Sequence, residues 1–131
     1  MAPEVRNSQN EATYDGIKSD IFALGHILFI THTSMLLFKK AGDKKFERLQ
    51  KDPVRHVARI VGNEDTDSDF IGLVAAMCAH NPADRPSLAD IRGHPWMTKD
   101  VIASIEDVAA HFYSLKPEDL VTIDAAHYKV M

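Results

Sequence analysis

Apolar positions along this 131-residue chain recur at helical spacing, and no stretch alternates in the manner of a half-buried strand. The expected fold class is therefore all-α. "SDIFALGHILFI" opens with Ser19 or Asp20 as a cap, and its body, Ile21 to Ile30, is apolar on nearly every side. A helix of that kind is expected inside a core with neighbours on every flank. Each Leu, Ile or Phe left in water there would forgo ~2 kcal/mol, a large share of a domain's net stability.

Downstream, "GDKKFERLQ" (42–50) predicts a short surface helix capped by Asp43, with Phe46 and Leu49 on one face. The chain is expected to turn around Pro53 and Gly62. Phe70, Leu73, Val74 and Met77 then follow the i, i+3, i+4, i+7 pattern of an amphipathic helix, opened by Asp67 or Ser68 and ended near Asn81-Pro82. "SLAD" (87–90) has the form of a capping box, with Leu88 and Ile91 facing inward. A further helix is expected from about Thr98 to Tyr113, with Val101, Ile105, Val108 and Phe112 as its stripe, and a weaker one from Pro117.

Composition changes this picture little. The length suits one domain with a real core, and a net charge of −4 argues against a nucleic-acid binder acting through bulk charge. Residues 39–59 are the local exception. Lys39, Lys40, Lys44, Lys45, Arg48, Lys51, Arg55 and Arg59 stand there against Asp43, Glu47 and Asp52. That stretch is either a solvated helix face or a docking patch for an acidic partner. Cys78 is the only cysteine, which excludes an internal disulfide and fits a reducing compartment. No signal pattern opens the chain, and the longest apolar run is too short to span a bilayer, so a soluble, cytoplasmic protein is expected.

Candidate chemistry is sparse. "DTDSDFIG" (65–72) begins like a calcium loop, but Phe70 stands where the turn needs Gly and Ala76 where a bidentate Glu should close the sphere. The seven histidines offer no H-E-x-x-H, and neither phosphate-binding glycine loop occurs. No catalytic, cofactor-binding or metal-ligating residues are expected. Two charged groups do raise a question. Glu4, after Ala2 and Pro3, is either solvated or half of an ion pair. Arg85 lies between two prolines in a loop joining core-facing helices, where Asp84 or Asp90 would be its local partner.

Three ordered pieces bear on that question: "APE" (2–4), "YDGIKSDIFALGHILF" (14–29) with Asp20 and Gly25 in a D-x-x-x-x-G pattern, and "NPADRPSLADIRGHPW" (81–96). Together they resemble the C-terminal, large-lobe part of a eukaryotic protein kinase catalytic domain, whose parent fold is α+β. The "RPS" and "HPW" segments make it look like a serine/threonine kinase, nearer the calcium/calmodulin-dependent type. The resemblance covers residues 1–97 from the "APE" motif onward and leaves 98–131 as a helical extension. It implies that Ala2, Pro3, Glu4, Asp20, Gly25, Arg85, Pro86, His94 and Trp96 are structural signature positions. Glu4 would pair with Arg85, Asp20 would accept backbone hydrogen bonds from the catalytic loop, and Gly25 would permit close helix packing. One departure is "SMLLF" (34–38), where Ser34 stands for an expected Gly and Leu37 for an expected Pro. The loop's shape is open at this stage.

The family's glycine-rich loop, third-strand Lys, H-R-D base and D-F-G magnesium ligand all precede "APE". The resemblance thus implies that Met1 is a residue inside a longer kinase. ATP and magnesium would bind the full-length parent, which would phosphorylate Ser or Thr of protein substrates. This chain would be a scaffold, inactive alone, whose partner is the missing N-terminal part of the kinase domain. No nucleic acid or membrane is implied. The alternative is a non-catalytic, kinase-derived interaction module using the basic 39–59 face. Alone, the chain is expected to expose an apolar patch prone to association.

Overall fold

A computed structural model describes residues 1–7, 13–63, 65–99 and 103–115. The described residues are helical, without strands. Residues 1–100 form one compact unit and 101–131 a second. In the first, α1 (Pro3–Asn7) precedes α2 (Gly16–Thr33), α3 (Lys44–Lys51), α4 (Pro53–Val61) and α5 (Ser68–Met77). A 3-10 turn at Pro82–Asp84 leads to α6 (Leu88–Arg92) and α7 (Pro95–Thr98). Of the second unit, α8 (Ile105–Ser114) is described, opened by a capping box between Ser104 and Asp107. The expected helix from Thr98 to Tyr113 is therefore two pieces, α7 and α8. Val101 and the helix expected from Pro117 lie outside the described residues.

Several boundaries differ from expectation, each for a local reason. The cap of α2 is Asp15, whose carboxylate accepts from the amides of Ile17 and Lys18, so the helix starts ahead of Ser19 and Asp20. The chain does leave the helix beside Pro53, as expected: Asp52, at φ −151°, separates α3 from α4. Pro53 itself occupies the first position of α4, where a missing amide hydrogen costs nothing, and Asp52 caps that helix by accepting from Arg55 N at 3.0 Å. Gly62 ends α4 in the left-handed region, at φ 63°. Helix α5 stops at Met77, ahead of the expected Asn81. The Ser87–Asp90 capping box forms, but only Ile91 faces inward; Leu88 is exposed.

The core lies where α2 crosses α5. Phe22, Phe29, Phe70 and Val74 are buried there together with Ala2, Leu37, Leu49, Val57 and Cys78. A smaller group of Ile21, Leu73, Met77 and Ile91 adjoins it. Trp96 of α7 packs against Phe70, with ring centroids 5.3 Å apart.

The expectation that α2 is covered on every flank does not hold. One face buries Ile21, Phe22, Gly25 and Phe29, while Ile17 and Ile27 are 64% and 56% exposed, and Leu24 is also exposed. Ile17, Asp20, Ala23, Leu24, Ile27 and Leu88 border a shallow cleft of about 420 Å³ on that outer side. The all-round apolar composition is real; among the described residues nothing packs on the second face.

The segment 34–38, which departs from the kinase pattern, has a definite shape. Ser34 caps the C-terminus of α2 at φ 58°, the one non-glycine residue with positive φ among those described. Leu37 is fully buried, and its carbonyl accepts from Nε2 of the buried His56 at 2.8 Å. Left-handed backbone disfavours a Cβ by ~1–2 kcal/mol. Ser34→Gly is accordingly expected to stabilise the fold by ~1 kcal/mol, raising the thermal midpoint by roughly 4–8 °C. A lower midpoint would show that the serine side chain matters more than its backbone strain.

Candidate functional site

The sequence-predicted residues converge most closely at the junction of α1, α2 and the loop after α5. Helix α1 starts at Pro3, and Ala2 is buried in the core, so Glu4 is held in the first helical turn. Across from it, the 3-10 turn that Asn81 caps delivers Arg85 in extended conformation, and Pro86 follows half-buried. The Arg85 side chain is fully buried and that of Glu4 is 17% exposed.

All five guanidinium hydrogens of Arg85 have acceptors. Nη1 donates to Glu4 Oε1 at 2.6 Å and to the Lys18 carbonyl at 2.8 Å. Nη2 donates to Glu4 Oε2 at 2.9 Å and to the His80 carbonyl at 3.1 Å. Nε donates to the Ala79 carbonyl at 2.8 Å. The guanidinium carbon also lies 4.8 Å from the centre of the Phe22 ring. This fork joins three segments that are distant in sequence. Burial would raise the Glu4 pKa, but the Arg85 hydrogen bonds and charge outweigh it and hold the carboxyl below its ordinary value.

Neither local candidate pairs with Arg85. Asp90 accepts from Ser87 Oγ and Ser87 N within its capping box, and these bonds hold its pKa low. Asp84 is exposed. Lys18 was invisible as a participant: its Nζ donates to the Arg85 carbonyl at 2.5 Å while its own carbonyl accepts from Arg85. A backbone acceptor leaves no mark in a sequence, so no residue pattern would have found it.

The other positions lie elsewhere. Asp20 is exposed on the outer face of α2, bordering the apolar cleft, with no side-chain hydrogen bond among the described residues. Gly25 faces α5: a Cβ built there would lie 2.8 Å from both Cys78 Sγ and Met77 Cβ. His94 caps α7, its Nδ1 accepting from Trp96 N at 3.2 Å. Trp96 packs edge-on against His32. Burial pushes the Cys78 thiol up to about 12, although Arg85 pulls the other way, so the thiolate is scarce at neutral pH.

The acidic run that begins like a calcium loop is already engaged. Asp67 caps α5, and Lys99 Nζ bridges Asp67 and Asp69 at 2.5 and 2.8 Å. These groups are substantially solvated, so the pairs contribute little. Among the described residues no group of three or more His, Cys, Asp or Glu side chains could hold a metal ion. Neither phosphate-cradling glycine pattern occurs in the sequence. None of the described helices is long and apolar enough to cross a membrane.

Comparison with known proteins agrees with the geometry. Residues 1–97 match the family model described as "Protein kinase domain". Among curated proteins, CBL-interacting protein kinase 2 of Oryza sativa is 30% identical over 124 residues, covering 95% of this chain and 25% of the relative. Sperm motility kinase 2A of Mus musculus is 29% identical over 126 residues, 96% of this chain and 23% of the relative. Serine/threonine-protein kinase SAPK7 of Oryza sativa is 25% identical over 123 residues, 93% and 33%. The chain thus spans a third or less of the length of each of these relatives. No solved structure gives a significant match. The buried Glu4–Arg85 fork sits within the matched segment, and the chain belongs to the protein kinase domain family.

Proposed function

We propose that residues 1–97 supply the C-terminal part of the large-lobe scaffold of a serine/threonine protein kinase of the calcium/calmodulin-dependent type. The parent kinase transfers the γ-phosphate of ATP to Ser or Thr of protein substrates. This chain holds no part of that chemistry itself. The observation that carries the reading is the Glu4–Arg85 fork, with every guanidinium hydrogen used to tie α1 onto α2 and the 79–85 loop. In the proposed role it anchors the end of the activation segment, with Ala2, Pro3 and Pro86 flanking the pair, while His94 and Trp96 hold α7 on the core. The outer face of α2 receives the catalytic loop, supplied by the N-terminal part of the kinase domain, with Asp20 accepting its amides. Exposed Ile17, Leu24 and Ile27 around Asp20 support that reading, since a covered face explains an all-round apolar helix.

Calorimetric titration of the purified chain with MgATP tests it, alongside a phosphate-transfer assay on a general protein substrate. Neither heat of binding nor transfer is expected. Saturable MgATP binding in the micromolar range would overturn the scaffold assignment.

A further inference from the structure

We propose that the cleft between α3 and α4 is a docking site for an acidic, carboxylate-rich segment of a protein partner. Arg48 and Lys51 of α3 and Arg55 and Arg59 of α4 border a recess of about 300 Å³, together with Asp52 and His56. The interval of three residues in α3 (Arg48, Lys51) and of four in α4 (Arg55, Arg59) keeps each pair on one side of its helix, and the recess borders both pairs. All four are exposed, and none has an ion-pair partner among the described residues. Asp52, the one acid in the lining, directs its carboxylate to the amide of Arg55 as the α4 cap. The recess therefore carries four cations against one committed anion on a chain whose net charge is −4.

Helix electrostatics account for only part of this. Arg48, Lys51 and Arg59 lie in last turns, where the dipole favours a cation. Arg55 lies in the first turn of α4, where the dipole disfavours a cation, and the Asp52 cap is the one acid beside it. A ligand anion would balance the remaining positive charge. The walls are already ordered, because Leu49, His56 and Val57 are buried beneath the cations and His56 is tied to Leu37. Little ordering then opposes binding beyond the side chains themselves. Three of the four cations are guanidinium forks, which meet carboxylates in bidentate fashion. A nucleic acid fits less well, since the basic surface is one recess on an acidic chain rather than a stripe. This proposal does not depend on the scaffold role, and MgATP titration does not bear on it.

The test uses the full chain and a fluorescein-labelled peptide of alternating Glu and Gly, read by anisotropy at low salt. Saturable binding that weakens with added salt is expected. The exposed pair Arg55→Ser/Arg59→Ser should weaken it about tenfold, and Lys51→Ser alone by a smaller factor. Thermal melts of both variants establish that they are folded. Lys39→Ser/Lys40→Ser, basic positions outside the recess, should leave affinity unchanged. Equal loss in that control would reduce the effect to bulk charge and overturn the proposal. So would unchanged binding in both cleft variants, no saturable binding at all, or a single-stranded oligonucleotide of equal charge binding more tightly than the peptide.

Discussion

Removing Arg85 is expected to be the most damaging single change in the chain. Arg85→Ala should cost ~3–5 kcal/mol, because it strands the Glu4 carboxylate and leaves the Lys18, Ala79 and His80 carbonyls without their donor. Against a net stability of ~5–15 kcal/mol, that leaves a fold that melts early or not cooperatively. Arg85→Lys keeps the charge but loses the fork, since an ammonium offers three donors where five acceptor contacts exist. Glu4→Gln keeps shape and one acceptor but leaves the guanidinium without a counter-ion in a fully buried site.

Acid separates the pair's contribution from general packing. The folded-state pKa of Glu4 is depressed, so its stabilising contribution is complete above the ordinary value of 4.5 and is lost as pH falls below it. The parent should therefore lose stability more steeply than Glu4→Gln below about pH 4.5. Denaturant melts across that window, on the parent, both single variants and the double variant, measure the coupling directly. Single variants within a degree of the parent, with no coupling in the cycle, would reduce the fork to a surface contact.

How much of this was legible beforehand depends on what kind of signal each feature leaves. The stripe Phe70, Leu73, Val74, Met77 reads as a helix because burial on one face imposes a period, and α5 follows it. Caps were less certain. Asp15, Ser19 and Asp20 are all capable N-caps, and only the backbone geometry selects Asp15. Pro53 illustrates the opposite ambiguity: the residue that breaks a helix in its interior begins one at its first position. The Glu4–Arg85 contact spans 81 positions, and no periodicity reaches that far; only the ordered kinase-like segments pointed to it. The carbonyls around Arg85 were beyond reading, since they depend on where folded backbone lies; the basic 39–59 stretch was legible, and only the recess that Arg48 and Arg59 border was not. The open face of α2 is a further case. Apolar composition says that a surface wants a cover, and says nothing of what covers it.

Gly25→Ala puts the α2–α5 crossing to the test, because two principles predict opposite signs. In an isolated helix alanine is better than glycine by ~1 kcal/mol, so the substitution should stabilise α2. At this position the new methyl would sit 2.8 Å from Cys78 Sγ and 2.8 Å from Met77 Cβ. Such distances cannot persist. The sulfur has one torsion with which to retreat, and the Met77 Cβ is fixed to the backbone of α5, so the helices must part. Overpacking of this kind costs ~1–3 kcal/mol, and the parting also loosens Phe22, Phe29 and Val74, buried at the same crossing. A net loss is therefore expected, read as a thermal midpoint several degrees below the parent. Adding Cys78→Gly should recover only part of it, since the Met77 contact remains. A variant melting above the parent would mean that helix propensity wins, and that the two helices are not held as close as the missing Cβ allows.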